Sequence, residues 1–329
     1  MVRSYWFSLL LVPYYLLRFM RRLIINADDF GLTPGVNRGI EECVRQGVVT
    51  SITLMANAGA FADAAEKTNA LTQLNSSSPR LYTTARGAVG QAGIGCHGVL
   101  VDGIPVLPLE DVPSLLASEG KEFRSSLGAF ARAAVIGRLD ADEITAEISA
   151  QIRKLQAAGV RLSHLDAHKH VHLFPSVLKP LLRAARDCGV RAIRNPFAPV
   201  KPLAFAHLMR RPHLWKKYTE VKLLRGWAQN FRRAVAAAGL TTTDGTFGIV
   251  STGALDLELF RAIIGCIPEG TWEFCCHPGY VDAELAKVRT RLRASRERER
   301  EVLTSQAAGD ILAERGIQLI NYWELGHES

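Results

Sequence analysis

The chain has 329 residues, 48% hydrophobic and 22% charged, close to the averages of soluble globular proteins. That composition excludes a disordered, collagenous or coiled-coil protein and leaves ample apolar material for a core. Forty Lys and Arg against 32 Asp and Glu give a formal charge of +8, an excess that suits an anionic surface without demanding nucleic acid.

Residues 1–19 form an apolar N-terminal extension, nearly continuous from Tyr5 to Leu17, with Arg3 before it and Arg18, Arg21 and Arg22 after it. It is shorter than the roughly 20 residues of a spanning helix, and Pro13 interrupts it. It also lacks the small-residue cleavage site of a secretory signal. Two readings stand. Trp6, Tyr14 and Tyr15 favour an interfacial anchor; Met20-Arg21-Arg22, directly before a strong strand, favours a mis-assigned start with translation beginning at Met20.

From Leu23 onward β-like runs alternate with helical stretches. Leu23–Ala27 reads as a buried strand. Thr33 and Pro34 predict the cap and first residue of a helix that runs to Gln46 and stops at Gly47. Ser51–Asn57 predicts a strand, Phe61–Leu71 a helix, Asn75–Ser78 a loop and Ile94–Leu100 a strand. Asp140 predicts the cap of an amphipathic helix with Ile144, Ile148, Ile152 and Leu155 on one face, ended by Gly159. Strands are then expected at Leu162–Ala167, Val190–Arg194, Phe247–Val250, Thr271–Cys276 and Gln318–Tyr322. Helices are expected at Pro175–Cys188, Asp256–Gly265 and, as one long charged element, Asp282–Arg315.

Repeated β-then-α alternation implies a parallel sheet. The length suits an α/β, (β/α) barrel-like fold, an incomplete or distorted TIM-type barrel. Residues 199–239 are the least barrel-like part, a basic amphipathic helical insertion. It reads either as ordinary packing or as a surface for a membrane or an amphiphilic substrate. The mixed-charge run Arg291–Glu301 reads as a solvated helix face.

The six cysteines, Cys43, Cys96, Cys188, Cys266, Cys275 and Cys276, include no C-x-x-C pair. In so long a chain they do not form a disulfide framework. They read as reduced core thiols, and the expected location is the cytoplasm, with peripheral contact at the inner face of the membrane as an extension of the anchor reading.

Chemistry concentrates at the carboxyl ends of the strands, where parallel α/β folds hold their sites. There stand Asp28-Asp29, His97, Asp166 with His168, His170 and His172, and His277. In an extended segment Asp166, His168, His170 and His172 share one side; if the chain turns helical, His168 and His172 share a face instead. Either geometry supplies imidazoles to a metal. Of Asp28 and Asp29, one carboxylate suits a divalent ion and the other suits proton removal from water, whereas the bland alternative is that Asp-Asp-Phe-Gly caps a turn.

Four blocks, Asn26–Ile40 (NADDFGLTPGVNRGI), Gly47–Asn57 (GVVTSITLMAN), His164–Pro175 (HLDAHKHVHLFP) and Cys276–Tyr280 (CHPGY), resemble the YdjC/ChbG carbohydrate deacetylase family in order and spacing. The Ala-His-Lys-His variant, the insertion and the apolar character also resemble its hopanoid-biosynthesis branch, HpnK. The resemblance implies a single YdjC-like domain over residues 20–329. It implies metal-dependent removal of an acetyl group from an N-acetylglucosamine unit, either hopanoid-linked or in a chitooligosaccharide.

Carried onto this sequence, the metal ligands are Asp29, His97 and His168, with His172 as a further candidate. Asp28 is the general base and His277 the general acid. One divalent ion is expected. The resemblance suggests magnesium, whereas two imidazoles favour zinc or another transition metal. Lys169 stands where many relatives have another His, and Gly98 where a Leu is common, a change expected in the pocket wall. A non-catalytic, membrane-associated metal-binding protein is the alternative of another class. Nucleic acid is not an expected partner, since no recognised motif accompanies the basic residues, and a homo-oligomer is compatible with the sequence.

Overall fold

The computed structural model describes residues 20–72 and 92–325; the apolar extension and the loop expected at Asn75–Ser78 lie outside the described residues. The first strand, β1 (Arg21–Phe30), is buried from Leu23 onward because it has neighbours on both sides. Thr33 Oγ1 accepts the Val36 N–H at 3.2 Å and Pro34 sits in the first turn, so α1 (Pro34–Arg45) begins where the sequence predicts. There follow β2 (Ser51–Leu54), α2 (Phe61–Thr72), β3 (Gly93–Gly98) and α3 (Leu127–Val135). In α4 (Ala141–Ala157), Asp140 Oδ1 accepts the Asp142 and Glu143 N–H groups at 2.8 and 3.0 Å, and the expected isoleucine stripe is buried.

Next come β4 (His164–Ala167) and α5 (Pro175–Asp187). The basic segment contributes α6 (Phe205–Met209), α7 (Trp215–Leu224) and α8 (Ala228–Ala237). The chain closes with β5 (Thr246–Phe247), α9 (Leu257–Ile264), β6 (Gly270–Cys276), α10 (Ala283–Lys287), α11 (Ala294–Thr304), α12 (Gln306–Glu314) and β7 (Ile317–Leu319).

All pairings within the sheet are parallel, in the order β4-β3-β2-β1-β6-β5, with β7 beside the start of β1. β1 lies near the centre of that order and is buried from Leu23 to Phe30. Isolated parallel bridges, Leu165 to Ile193 and Ala192 to Thr241, carry the curl on from β4. The result is a distorted α/β barrel with helices packed outside it. All six cysteines are free.

Three expected elements differ. Val190–Arg194 forms only those bridges, because the chain spends one or two residues between β4 and Thr241 before Arg194 leaves to meet carboxylates. The strand expected at Phe247–Val250 ends at Phe247: Gly248 takes φ +92°, and a Cβ there would lie 2.1 Å from the Cys275 carbonyl oxygen. The single charged helix expected over Asp282–Arg315 is three helices. It breaks where Val288 and Ser305 become extended, and Ser305 Oγ then caps α12 by accepting the Ala308 N–H at 3.2 Å.

Candidate metal centre and catalytic groups

The strand β1 ends in a bulge. Ala27 pairs with Ile52 and Phe30 with Leu54, so Asp28 and Asp29 together oppose one residue of β2. Asp29 takes φ +69°, a left-handed conformation that aspartate tolerates better than most side chains. A regular strand would send the two side chains to opposite faces; the bulge brings both, buried, to the same site.

Asp29 Oδ1 lies 3.5 Å from His97 Nε2 and 3.4 Å from His168 Nδ1, and the two nitrogens are 3.2 Å apart. Oδ1 is buried without a hydrogen-bond partner. Atoms sharing one divalent ion at about 2.1 Å lie roughly 3.0–3.4 Å from each other. The triangle of Asp29, His97 and His168 therefore fits a cation.

A second compact group, Asp28, His97 and Asp166, already holds a positive charge of the protein itself. Arg194 donates to Asp28 Oδ2 and Oδ1 at 2.7 Å each, lies 2.6 Å from Asp166 Oδ2, and donates to Glu273 Oε1 at 2.8 Å. Asp166 Oδ1 in turn lies 2.7 Å from His97 Nδ1, which fixes the imidazole with Nε2 towards Asp29 and His168. Such a carboxylate behind a histidine orients the ring for a metal. Burial alone would lower the His97 pKa; Asp166, then Asp29 and Asp28, outweigh it and lift the group to about 10. A cation at Nε2 competes with that second proton.

Burial also pushes both aspartates up, and guanidinium groups reverse it. Arg194 holds the Asp28 carboxyl below the usual carboxylate range; Arg296, with His168 and His97, does so for Asp29. Asp28 Oδ1 accepts from Arg194, from Asn26 Nδ2 at 2.9 Å and from Thr53 Oγ1 at 3.4 Å. Oδ2 accepts only from Arg194 and therefore keeps a lone pair. His277, just beyond β6, places Nε2 3.8 Å from that Oδ2.

The run Arg291–Glu301 is not a wholly solvated face. Arg296 and Glu299 on α11 are 1% and 2% exposed. Arg296 Nη2 donates to Asp29 Oδ2 at 2.6 Å, and Glu299 Oε2 accepts the backbone N–H of His277 at 2.6 Å. With Arg194 and Glu273 these are the site residues that the sequence did not disclose. A charged helix with little apolar surface was the signal, and it reads equally well as solvent-facing.

His172 does not join the cluster. Alternation along β4 holds through Asp166 and His168, but Lys169 and His170 take φ +53° and +54° and turn the chain away. The buried His172 ring then packs at 6.3 Å from Phe231. Neither the fully extended nor the helical geometry considered for this run forms. His164 lies in the core, stacked on Tyr322 at 3.6 Å. Lys169 Nζ donates to Asp102 Oδ2 at 2.9 Å, an ion pair that holds it at the rim. Gly98 does not shape the pocket wall, since a Cβ there would meet Ile148 of α4 at 2.8 Å. A cavity of about 430 Å³ opens on the same rim, walled by the segments after β1, β2 and β3 and by α10.

A parallel barrel with carboxylates and imidazoles gathered at the carboxyl ends of its strands has the groups that metal-assisted hydrolysis uses, and comparison with known proteins gives the class. Residues 22–314 match the YdjC-like protein family, to which the chain belongs. It is 33% identical to a carbohydrate deacetylase of Geobacillus stearothermophilus and 31% identical to a chitooligosaccharide deacetylase of Klebsiella pneumoniae (strain 342), in both cases over 92% of this chain and 98% of the relative. A crystal structure from Enterococcus faecalis V583 superposes with a TM-score of 0.69 at 28% identity, covering 93% of this chain and 99% of that one. The chain is an enzyme of this deacetylase class.

Proposed function

We propose that the protein is a metal-dependent hydrolase that removes the acetyl group from an N-acetylglucosamine unit carried on a hopanoid lipid. The observation that carries the reaction is the donor triangle of Asp29, His97 and His168, with Asp28 Oδ2 and His277 Nε2 beside it. Asp29, His97 and His168 would hold a divalent ion, which would supply Lewis-acid chemistry towards water and the acetyl carbonyl. The two imidazoles favour a transition ion over the magnesium that the family resemblance suggests.

Asp28 Oδ2 takes the proton of the attacking water. Arg194 holds Asp28 ionised, so the base is available. His277 protonates the departing amine, held in place by Glu299 through its backbone N–H. Asp166 keeps His97 in one tautomer, and Arg296 engages Asp29 Oδ2 so that Oδ1 remains free. The cavity beside the rim is within the roughly 300–1,000 Å³ of small-molecule sites and suits the sugar.

The hopanoid-linked substrate is supported by the Ala-His-Lys-His variant and the basic apolar segment. A second reading, a chitooligosaccharide deacetylase with the same centre, is favoured by the Klebsiella relative. Acetate release from hopanoid-linked N-acetylglucosamine and from N,N′-diacetylchitobiose, each with and without chelator, tests both. Release from the lipid-linked sugar alone, abolished by chelator, is expected. Release from chitobiose alone would overturn the lipid assignment, and release insensitive to chelator would overturn the metal.

A further inference from the structure

The positive charge of the chain is concentrated in one segment. Residues 199–239 contain nine Lys and Arg against the single Glu220, a formal +8 that equals the charge of the whole chain and leaves the remaining residues neutral in sum. Of the nine, only Arg211 has a carboxylate ion-pair partner among the described residues.

The same segment exposes apolar surface. Val200, Phe205, Met209, Trp215, Leu223 and Trp227 are six of the thirteen large apolar side chains left exposed among the described residues. The fold does not need them. Leu214, just before α7, and Val221, Ala228, Phe231 and Val235 within α7 and α8, spaced seven, seven, three and four, are already buried. Phe205 and Trp215 meet edge to face at 6.0 Å, and Lys222 Nζ donates to the Val200 carbonyl at 3.2 Å, so two of the exposed aromatic groups pack on each other and one cation is tied to an exposed apolar residue.

That surface adjoins the catalytic rim. His213 and Lys217 line a cavity of about 470 Å³ together with Arg291, Arg293 and Arg298, with no carboxylate in its wall. Arg291 precedes, and Arg298 belongs to, the helix whose Arg296 reaches Asp29.

We propose that this face docks on a bilayer surface carrying anionic headgroups, with the aromatic and aliphatic side chains entering the headgroup layer and the surrounding Lys and Arg meeting phosphates. Charge and apolarity together select this occupant. An acidic protein or a nucleic acid would satisfy the cations and leave the tryptophans in water; a second copy would cover the apolar groups but set +8 against +8. No helix among the described residues is long and apolar enough to cross a membrane, so the contact is peripheral. The inference stands independently of the substrate.

The test is sedimentation of the full chain with vesicles of phosphatidylcholine, alone or mixed with phosphatidylglycerol, comparing the parent with K216E/K222E/R225E and L223S/W227S. Both variants alter exposed side chains that make no hydrogen bond or ion pair with the catalytic groups, so circular dichroism should be unchanged. Each basic residue near an anionic surface strengthens partition roughly fivefold, so the charge-reversal variant should bind mixed vesicles at least about 100-fold more weakly. Loss of two buried apolar groups should weaken binding at least about tenfold.

A parent chain that binds neither vesicle overturns the proposal, as does a phosphatidylglycerol preference unchanged in either variant. Binding to neutral vesicles that phosphatidylglycerol does not strengthen also counts against it. So does a parent dimer, seen by light scattering, that L223S/W227S dissolves.

Discussion

Replacing Arg194 with methionine removes a fully buried cation from between Asp28, Asp166 and Glu273, which it meets at 2.6–2.7 Å. Methionine preserves much of the length and no charge. Removing one side of a single buried ion pair costs about 3–5 kcal/mol, and here three carboxylates lose the same partner. At roughly 2.1 cal/mol/K per residue, a chain of 329 residues unfolds with about 0.7 kcal/mol/K, so Tm should fall by at least about 4–7 °C.

The dependence on pH gives the sharper test. In the parent, burial pushes the Asp28 carboxyl up but Arg194 overcomes it, leaving the group below its ordinary 3.8. Its stabilisation is therefore present above that value and lost as pH falls through the folded pKa. Without Arg194 burial acts unopposed by its main partner and the folded pKa rises above the unfolded one. The penalty of the variant then grows as pH rises and shrinks in acid. Thermal melts followed by circular dichroism should show a large Tm deficit at pH 8 and a smaller one at pH 5. An equal deficit at both, or none at either, would refute the reasoning that Arg194 keeps these carboxylates ionised.

Asp28→Asn and His277→Ala should each fold, since Arg194 retains Asp166 and Glu273, yet each should lose at least about 10²-fold in kcat; near-normal turnover would remove that residue from its assigned role. His168→Ala should retain less metal after dialysis, and unchanged metal content by elemental analysis would count against ligation. Asp166→Asn takes the orienting carboxylate from His97 Nδ1 and should weaken metal retention about 10–100-fold, measured by competition with a chromogenic chelator. An affinity equal to the parent's would show that the ring is positioned by packing alone.

Periodicity and caps made most of the barrel legible before any coordinates. Thr33 and Asp140 cap the helices expected of them, because an N-cap side chain acts on backbone two or three residues away and its signal is local. What escaped the sequence was set by tertiary contact. Arg194 looks like the end of a strand and Arg296 like one of many charges on a helix. Their burial follows from where β1 places two aspartates, 166 and 267 residues away in the chain. His172 misled for the converse reason. Spacing of two or four within HKHVH fits a strand or a helix, and two consecutive left-handed residues make it neither. Charge pattern likewise disclosed that α11 is a helix but not which of its sides faces inward.

Adjacent buried carboxylates ordinarily conflict, since one of them holds a proton when their charges repel at close range. The site avoids this by giving each aspartate its own arginine. Arg194, at the edge beside β4, grips Asp28 with both nitrogens of its fork; Arg296, from α11, grips Asp29 through one oxygen only. The difference in grip divides the work. Asp29 keeps an unpartnered Oδ1 directed at two imidazoles, as a ligand must, and Asp28 keeps a lone pair on the oxygen nearest His277. The bulge that makes them neighbours and the two arginines that keep both ionised are thus one arrangement. A single arginine bridging both aspartates through Asp29 Oδ1 would occupy the one carboxylate oxygen of the pair left free for a cation.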